Sequence, residues 1–250
     1  VYKLDWSILL QQEPGGTGTY LNYLIVGLGW TLATALAAWV MALIIGAVVG
    51  TLRTTTMPWV VRFGNGYVEV FRNIPLIVQM FLWFFVFPEL LPTELGDAIK
   101  QMPPPWSSYV PAVLCLGIFT SVRVAEQVRA GINSLPRGQR MAGTAMGLTG
   151  AQTYRYVILP QAFRIILPPL TSEFMNVIKN SSVALTIGLL ELTGRARAMQ
   201  EFSFRVFEAF AAATVIYLIT NLIVVLFMRW IESRVRVPGL IAAGGIQAGH

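Results

Sequence analysis

Residues 21–52 carry no charged side chain, and Arg53 closes the run. About 20 apolar residues suffice to cross the hydrocarbon core of a bilayer as a helix. In that medium the backbone must satisfy its own N–H and C=O groups, which leaves helices and closed barrels as the spanning forms. The run therefore points to a membrane helix, and it is too long for one upright span. We expect an interfacial or tilted piece through about Trp30 and a span from there to Leu52, with Tyr20, Tyr23 and Trp30 in an aromatic belt. Gly46 and Gly50 form a small-xxx-small pair that allows a second helix to approach. The charged fraction of 12% is half the roughly 25% of a soluble domain, and mean hydropathy is +0.63.

The rest of the chain repeats the pattern less cleanly. Residues 63–87 contain Glu69, Arg72, Asn73 and Pro75 before the apolar run LIVQMFLWFFVF. A proline there breaks or kinks a helix, so an amphipathic part followed by a span is expected. Residues 88–109 read as an acid-rich loop, with prolines at 103–105. Further spans are expected at about 110–132, 164–190 and 206–230, with a polar loop at 191–205 and a disordered tail at 237–250. The fold class is thus all-α and membrane-embedded, with about five spans over 21–236.

Charge assigns the sides. Arg53, Arg62, Arg137, Arg140, Arg155, Arg164, Arg229, Arg234 and Arg236 fall at one end of the spans. Basic loops stay cytoplasmic, so the C-terminus is expected inside. Residues 1–20 are expected as a periplasmic segment. They carry Asp5 and Glu13 and lack a basic stretch leading into a short apolar core, so they do not read as a secretory signal. The net charge of +6 is then a matter of topology, and nucleic acid is not expected as a partner. Cys115 is the only cysteine and His250 the only histidine, which excludes an internal disulfide, a Cys/His metal site and histidine-based catalysis.

Residues 135–160, LPRGQRMAGTAMGLTGAQTYRYVILP, form a basic stretch that cannot itself enter the membrane. Its small residues and its proline boundaries, Pro136 and Pro160, suggest a short helix, a break at Gly147, and a second helix re-entering at Pro160. Such a projecting helix suits docking on a soluble partner; an ordinary amphipathic loop helix has the same pattern.

The spacing resembles the signature loop of permease subunits of bacterial binding-protein-dependent ABC importers: E-A-A, three residues, G, nine residues, I-x-L-P. Here Met141-Ala142-Gly143 stands for E-A-A, Gly147 for the glycine, and Val157-Ile158-Leu159-Pro160 for the close. Met141 replaces the acid and Gly143 the second alanine. VEVFRNIPLIVQMFLWFF (68–85), RVAEQVRAGINSLPRGQ (123–139) and residues 159–196 are similar to the polar amino acid permease subfamily, most of all to its glutamate/aspartate members. The resemblance covers roughly residues 20–235. It implies the type I importer permease fold, a bacterial inner-membrane location, and a coupling helix in which Arg137, Arg140, Met141, Ala142, Gly143, Gly147, Leu159 and Pro160 meet an ATPase. It also implies partners: a second permease chain, identical or paralogous, an ATP-binding subunit dimer and a periplasmic amino-acid-binding protein. No G-x-x-x-x-G-K-[ST] loop occurs and the only lysines are Lys3, Lys100 and Lys179, so ATP and Mg are expected on the partner ATPase and no cofactor on this chain.

Ionisable residues inside spans face a partner or a polar cavity. Glu69 and Arg72, Arg123 and Glu126, and Glu126 and Arg129 are helical neighbours by spacing. Lys179 has no acid at helical spacing. Arg72, Arg123 and Lys179 are the leading candidates to line a substrate path, with Asn180, Ser181, Gln79 and Glu126 beside them and Asn176 and Glu173 as lesser ones. The rival reading, an ion-coupled secondary transporter or channel, predicts internal repeats, and no convincing repeat is present.

Overall fold

A computed structural model describes residues 3–16 and 18–235; the tail expectation for 237–250 and the Arg137 side chain lie outside the described residues. The helices are α1 (Tyr20–Leu52), α2 (Pro58–Arg72), α3 (Leu76–Phe81), α4 (Phe87–Leu90), α5 (Thr93–Lys100), α6 (Trp106–Asn133), α7 (Arg137–Ala145), α8 (Gly150–Thr153), α9 (Leu159–Asn180), α10 (Leu192–Ser203) and α11 (Val206–Val235). A π-helical turn joins α3 to α4, another joins α8 to α9, and a 3-10 helix, Ser181–Ile187, extends α9.

Among the described residues α1, α6 and α11 are long and apolar enough to cross a membrane, and α2 with Leu76–Leu90 makes a broken span bent by 99°. Arg164, Glu173, Lys179, Pro168 and Pro169 keep α9 less apolar. It nevertheless packs between α6 and α11. Residues 21–52 do not divide into two pieces. With Tyr20 they form one 33-residue helix about 50 Å long at 1.5 Å per residue, which exceeds the bilayer core and requires tilt or projection. Two expected loops are helical. Residues 93–100 form α5 inside the acid-rich segment, and 192–203 form α10, where only polarity had suggested a loop.

Small residues decide how α1 meets α6. Gly27, Thr31, Ala35, Ala38, Ala42, Gly46 and Gly50 are buried along one face of α1, while Leu36, Val40, Ile44 and Val48 are exposed on the other. A Cβ at Gly46 would lie 2.8 Å from the Ser121 carbonyl, and one at Gly50 would lie 2.7 Å from that of Ala125. The Val124 and Val128 side chains crowd the same positions, and even if they shifted the backbone carbonyls could not yield. The core then continues through Trp39 and Phe174, ring centroids 5.2 Å apart, into the buried face of α9 at Leu170, Val177 and Ile178.

At the end opposite Arg53 and Arg62, residues 6–10 form a 3-10 turn capped by Asp5. The hydroxyl and N–H of Ser7 hold the Asp5 carboxyl below the usual carboxylate range. The Asp5 N–H donates to buried Glu208 (2.7 Å), and Arg205 reaches Asp5 at 3.6 Å. The first residues are thereby tied to the start of α11.

Gly50→Leu is expected to force α1 from α6 and destabilise the chain by about 1–3 kcal/mol, the usual range for overpacking. Thermal unfolding in detergent measures it; an unchanged midpoint would show that the close approach carries no weight.

Candidate functional site

Two regions stand out: the basic segment between α6 and α9, and a band of charge on the helices beside it.

The basic segment folds as two arms. Helix α7 ends at Ala145 with Met146 as its cap, and Gly147 follows with φ +80°, the left-handed region that favours glycine. Thr149 then opens α8 with a capping box: its hydroxyl accepts from the Gln152 N–H, and the Gln152 side chain accepts from the Thr149 N–H. The arms close on each other at Gly143, where a Cβ would stand 2.7 Å from Cγ2 of buried Thr153. That contact explains glycine where the motif has its second alanine. Arg140 lies over the Tyr154 ring at 5.2 Å, and the Tyr154 hydroxyl donates to the Thr54 carbonyl at 2.9 Å. The segment is thus fastened to the turn between α1 and α2. Between them lies a cavity of about 680 Å³, lined among others by Thr51, Thr55, Arg140 and Arg155. Met141 and Met146 point outward, 71% and 80% exposed. Ala142 is exposed, Leu159 half-buried, and Pro160 exposed in the first turn of α9.

The break between α2 and α3 is held by buried Gln79. Its Nε2 donates to the carbonyls of Phe71 (2.8 Å) and Ile74 (3.0 Å), which the bend leaves without helical partners. Just before it, Arg72 donates to Glu69 (3.0 Å) and, across to α6, to Glu126 (3.0 Å). Arg123 does not pair with Glu126 as the spacing suggested. It reaches Glu173 on α9 at 3.6 Å and lies over the Phe119 ring. The Glu69–Arg72 pair lies within α2 as its spacing suggested, whereas Arg72–Glu126 and Arg123–Glu173 run between helices, because α6 packs against both α2 and α9. Lys179 sits about 9 Å further along α9 from Glu173 at 1.5 Å per residue. It is exposed and has no ion-pair partner among the described residues. Asn180 is half-buried; Ser181 is buried and donates to the Ile178 carbonyl at 2.8 Å. The band of Glu69, Arg72, Glu126, Arg123 and Lys179 is largely open on this single chain, a state that hydrocarbon penalises by several kcal/mol per charge.

Glu191 was not singled out in the sequence, where it belonged to a polar loop. It is fully buried and caps α10, accepting from the N–H groups of Thr193 (3.0 Å) and Gly194 (2.8 Å) and from the hydroxyls of Tyr217 (3.0 Å) and Thr31 (3.3 Å). One carboxylate therefore joins α1, α10 and α11. Its signal was an acid placed directly before L-T-G at a helix start.

Apolar spans, a broken helix lined with charge and a projecting basic loop are the parts of a membrane permease. Residues 42–237 match the family described as binding-protein-dependent transport system inner membrane component, and the chain belongs to it. It is a multi-pass inner-membrane permease subunit of an ABC importer. The chain is 47% identical over 236 residues, 94% of its length and 96% of the relative's, to the glutamate/aspartate import permease protein GltJ of Escherichia coli O6:H1. It is also 28% identical over 234 residues to GltK of the same strain, covering 94% of this chain and 99% of that one. Among solved structures, an amino acid ABC transporter with histidines matches at a TM-score of 0.72 and 30% identity, over 86% of this chain and 95% of that one.

Glu191→Ala is expected to lower stability by about 3 kcal/mol or more, since it strands several buried donors at once. Glu191→Gln keeps part of the network and loses less. Thermal denaturation in detergent ranks the two; equal midpoints for both and the parent would remove the cap from the account.

Proposed function

We propose that this chain forms half of the translocation path of an ATP-driven importer for glutamate and aspartate. Its nearer likeness to GltJ than to GltK of the same strain supports a paralogous second permease as the other half. A periplasmic binding protein delivers substrate at the acidic end. An ATPase dimer, which carries ATP and Mg, grips α7 at the arginine-rich end. That end is cytoplasmic and residues 1–20 are periplasmic, because basic loops are retained inside.

The observation that carries the reading is the open charged band on α2, α6 and α9. An acidic amino acid brings two carboxylates and one ammonium. Two nitrogens of Arg72 already serve Glu69 and Glu126, whereas Lys179 is unpaired among the described residues and Arg123 is held only at 3.6 Å. Lys179 and Arg123 are therefore the groups with donors to offer a carboxylate, and Glu173 is placed to receive an ammonium. Arg72 and Glu126 keep the broken span against α6, and Gln79, Asn180 and Ser181 shape the wall. At the other end Met141, Ala142 and Met146 offer the ATPase an apolar contact, with Arg137 and Arg140 as its charges. ATP binding favours one of two states of the assembly, and the Tyr154–Thr54 bond passes movement of α7 to the turn between α1 and α2.

In proteoliposomes holding the complete importer, ATP-dependent glutamate uptake is expected to fall at least about tenfold in Lys179→Met and Arg123→Gln, the loss of one charge-assisted hydrogen bond. Wild-type affinity and rate in both variants would sink the path assignment, and uptake by this chain alone on an ion gradient would sink the importer reading. Met141→Glu is expected to leave transport per ATP hydrolysed within about fivefold, the factor that corresponds to about 1 kcal/mol for the partial loss of one apolar contact with the ATPase. A collapse of coupling would make the methionine a specific contact.

A further inference from the structure

Between the arginine-rich ends of α9 and α11 lies a crevice of about 590 Å³, lined by Arg164, Leu167, Pro168, Arg229, Glu232 and Ser233. We propose that this crevice binds the headgroup of an anionic phospholipid such as phosphatidylglycerol, with the guanidiniums of Arg164 and Arg229 on its phosphate.

Neither arginine has an ion-pair partner among the described residues, and both are exposed. The one acid in the crevice, Glu232, is turned to α9, where it accepts from the Thr171 hydroxyl at 2.8 Å. The wall is therefore net positive, with planar donors suited to a phosphate. It also offers acceptors. Pro168 and Pro169 have no N–H, so the carbonyls of Arg164 and Ile165 lose their usual helical donors. The Arg164 carbonyl and the Ser233 oxygen, both from residues that line the crevice, suit the hydroxyls of a glycerol headgroup.

The surroundings select a lipid over a soluble anion. Leu222, Ile223, Leu226 and Phe227 are each more than half exposed along α11 and lead to the crevice. Their apolar surface continues where acyl chains would run. Trp230, exposed and covered by Arg234 at 5.3 Å, marks the headgroup level at which tryptophan collects. A basic recess between spans at that level is a headgroup site by its chemistry. The inference needs only that the chain spans a bilayer; it holds for either leaflet and any transported substrate.

The test uses the complete importer, delipidated in detergent and titrated with phosphatidylglycerol or phosphatidylcholine while native mass spectrometry counts bound lipid. Preferential binding of phosphatidylglycerol is expected. Arg164→Gln with Arg229→Gln should weaken it about tenfold or more, the loss of charge-assisted hydrogen bonds. Arg62→Gln, an exposed arginine at the same end but outside the crevice, should not change it. If the double variant fails to assemble, Arg229→Gln alone carries the comparison with a smaller expected loss. Equal binding of the two lipids, an unchanged affinity in the crevice variants, or displacement of the lipid by excess inorganic phosphate would each overturn the proposal.

Discussion

The contact on which the other helices depend is the backbone-to-backbone approach of α1 and α6. Lipid is as apolar as leucine, so burying aliphatic side chains between helices brings little; close packing is what favours association in a bilayer. Gly46 and Gly50 let α1 reach the carbonyls of Ser121 and Ala125. The pair forms a frame against which α9 stacks through Trp39 and Phe174. The charged band lies along the edge of this frame on α2, α6 and α9, so its geometry is set by a contact that contains no charge.

Around the frame the helices are interrupted, and each interruption is made tolerable by a side chain. Gln79 takes up the carbonyls released between α2 and α3. Glu191 takes up the N–H groups at the start of α10 while binding Thr31 and Tyr217. An unsatisfied backbone group in hydrocarbon carries a penalty of several kcal/mol. A broken helix thus survives only where such a cap is built in. Arg72, the last residue before the break, meets Glu126 on α6.

Much of this was legible in the sequence. The charge-free run announced α1, the glycine pair its neighbour, and Gly147 and Pro160 the two-armed loop. Other features were hidden for identifiable reasons. Spacing rules see only neighbours on one helix, so they paired Arg123 with Glu126, whereas Glu173 comes from another helix. Polarity made residues 192–203 look like a loop, although an acid buried in advance of them caps a helix. Gly143 read as a departure from the family motif; only the folded loop shows Thr153 filling the space a methyl group would need. What was missed are contacts between segments distant in the chain, which hydrophobic periodicity does not encode.

The Tyr154 hydroxyl grips the main chain at residue 54. The same hydroxyl lies 3.2 Å from the Thr54 side-chain oxygen, so the joint has a main-chain contact that any residue at position 54 would keep and a side-chain contact that only a hydroxyl there supplies. Position 154 has no such freedom, because only tyrosine reaches that far with a donor at its tip and a ring for Arg140 to lie on. The fastening between the loop and the first span is therefore unequal: truncating Tyr154 would undo it, while truncating Thr54 would leave the main-chain half in place.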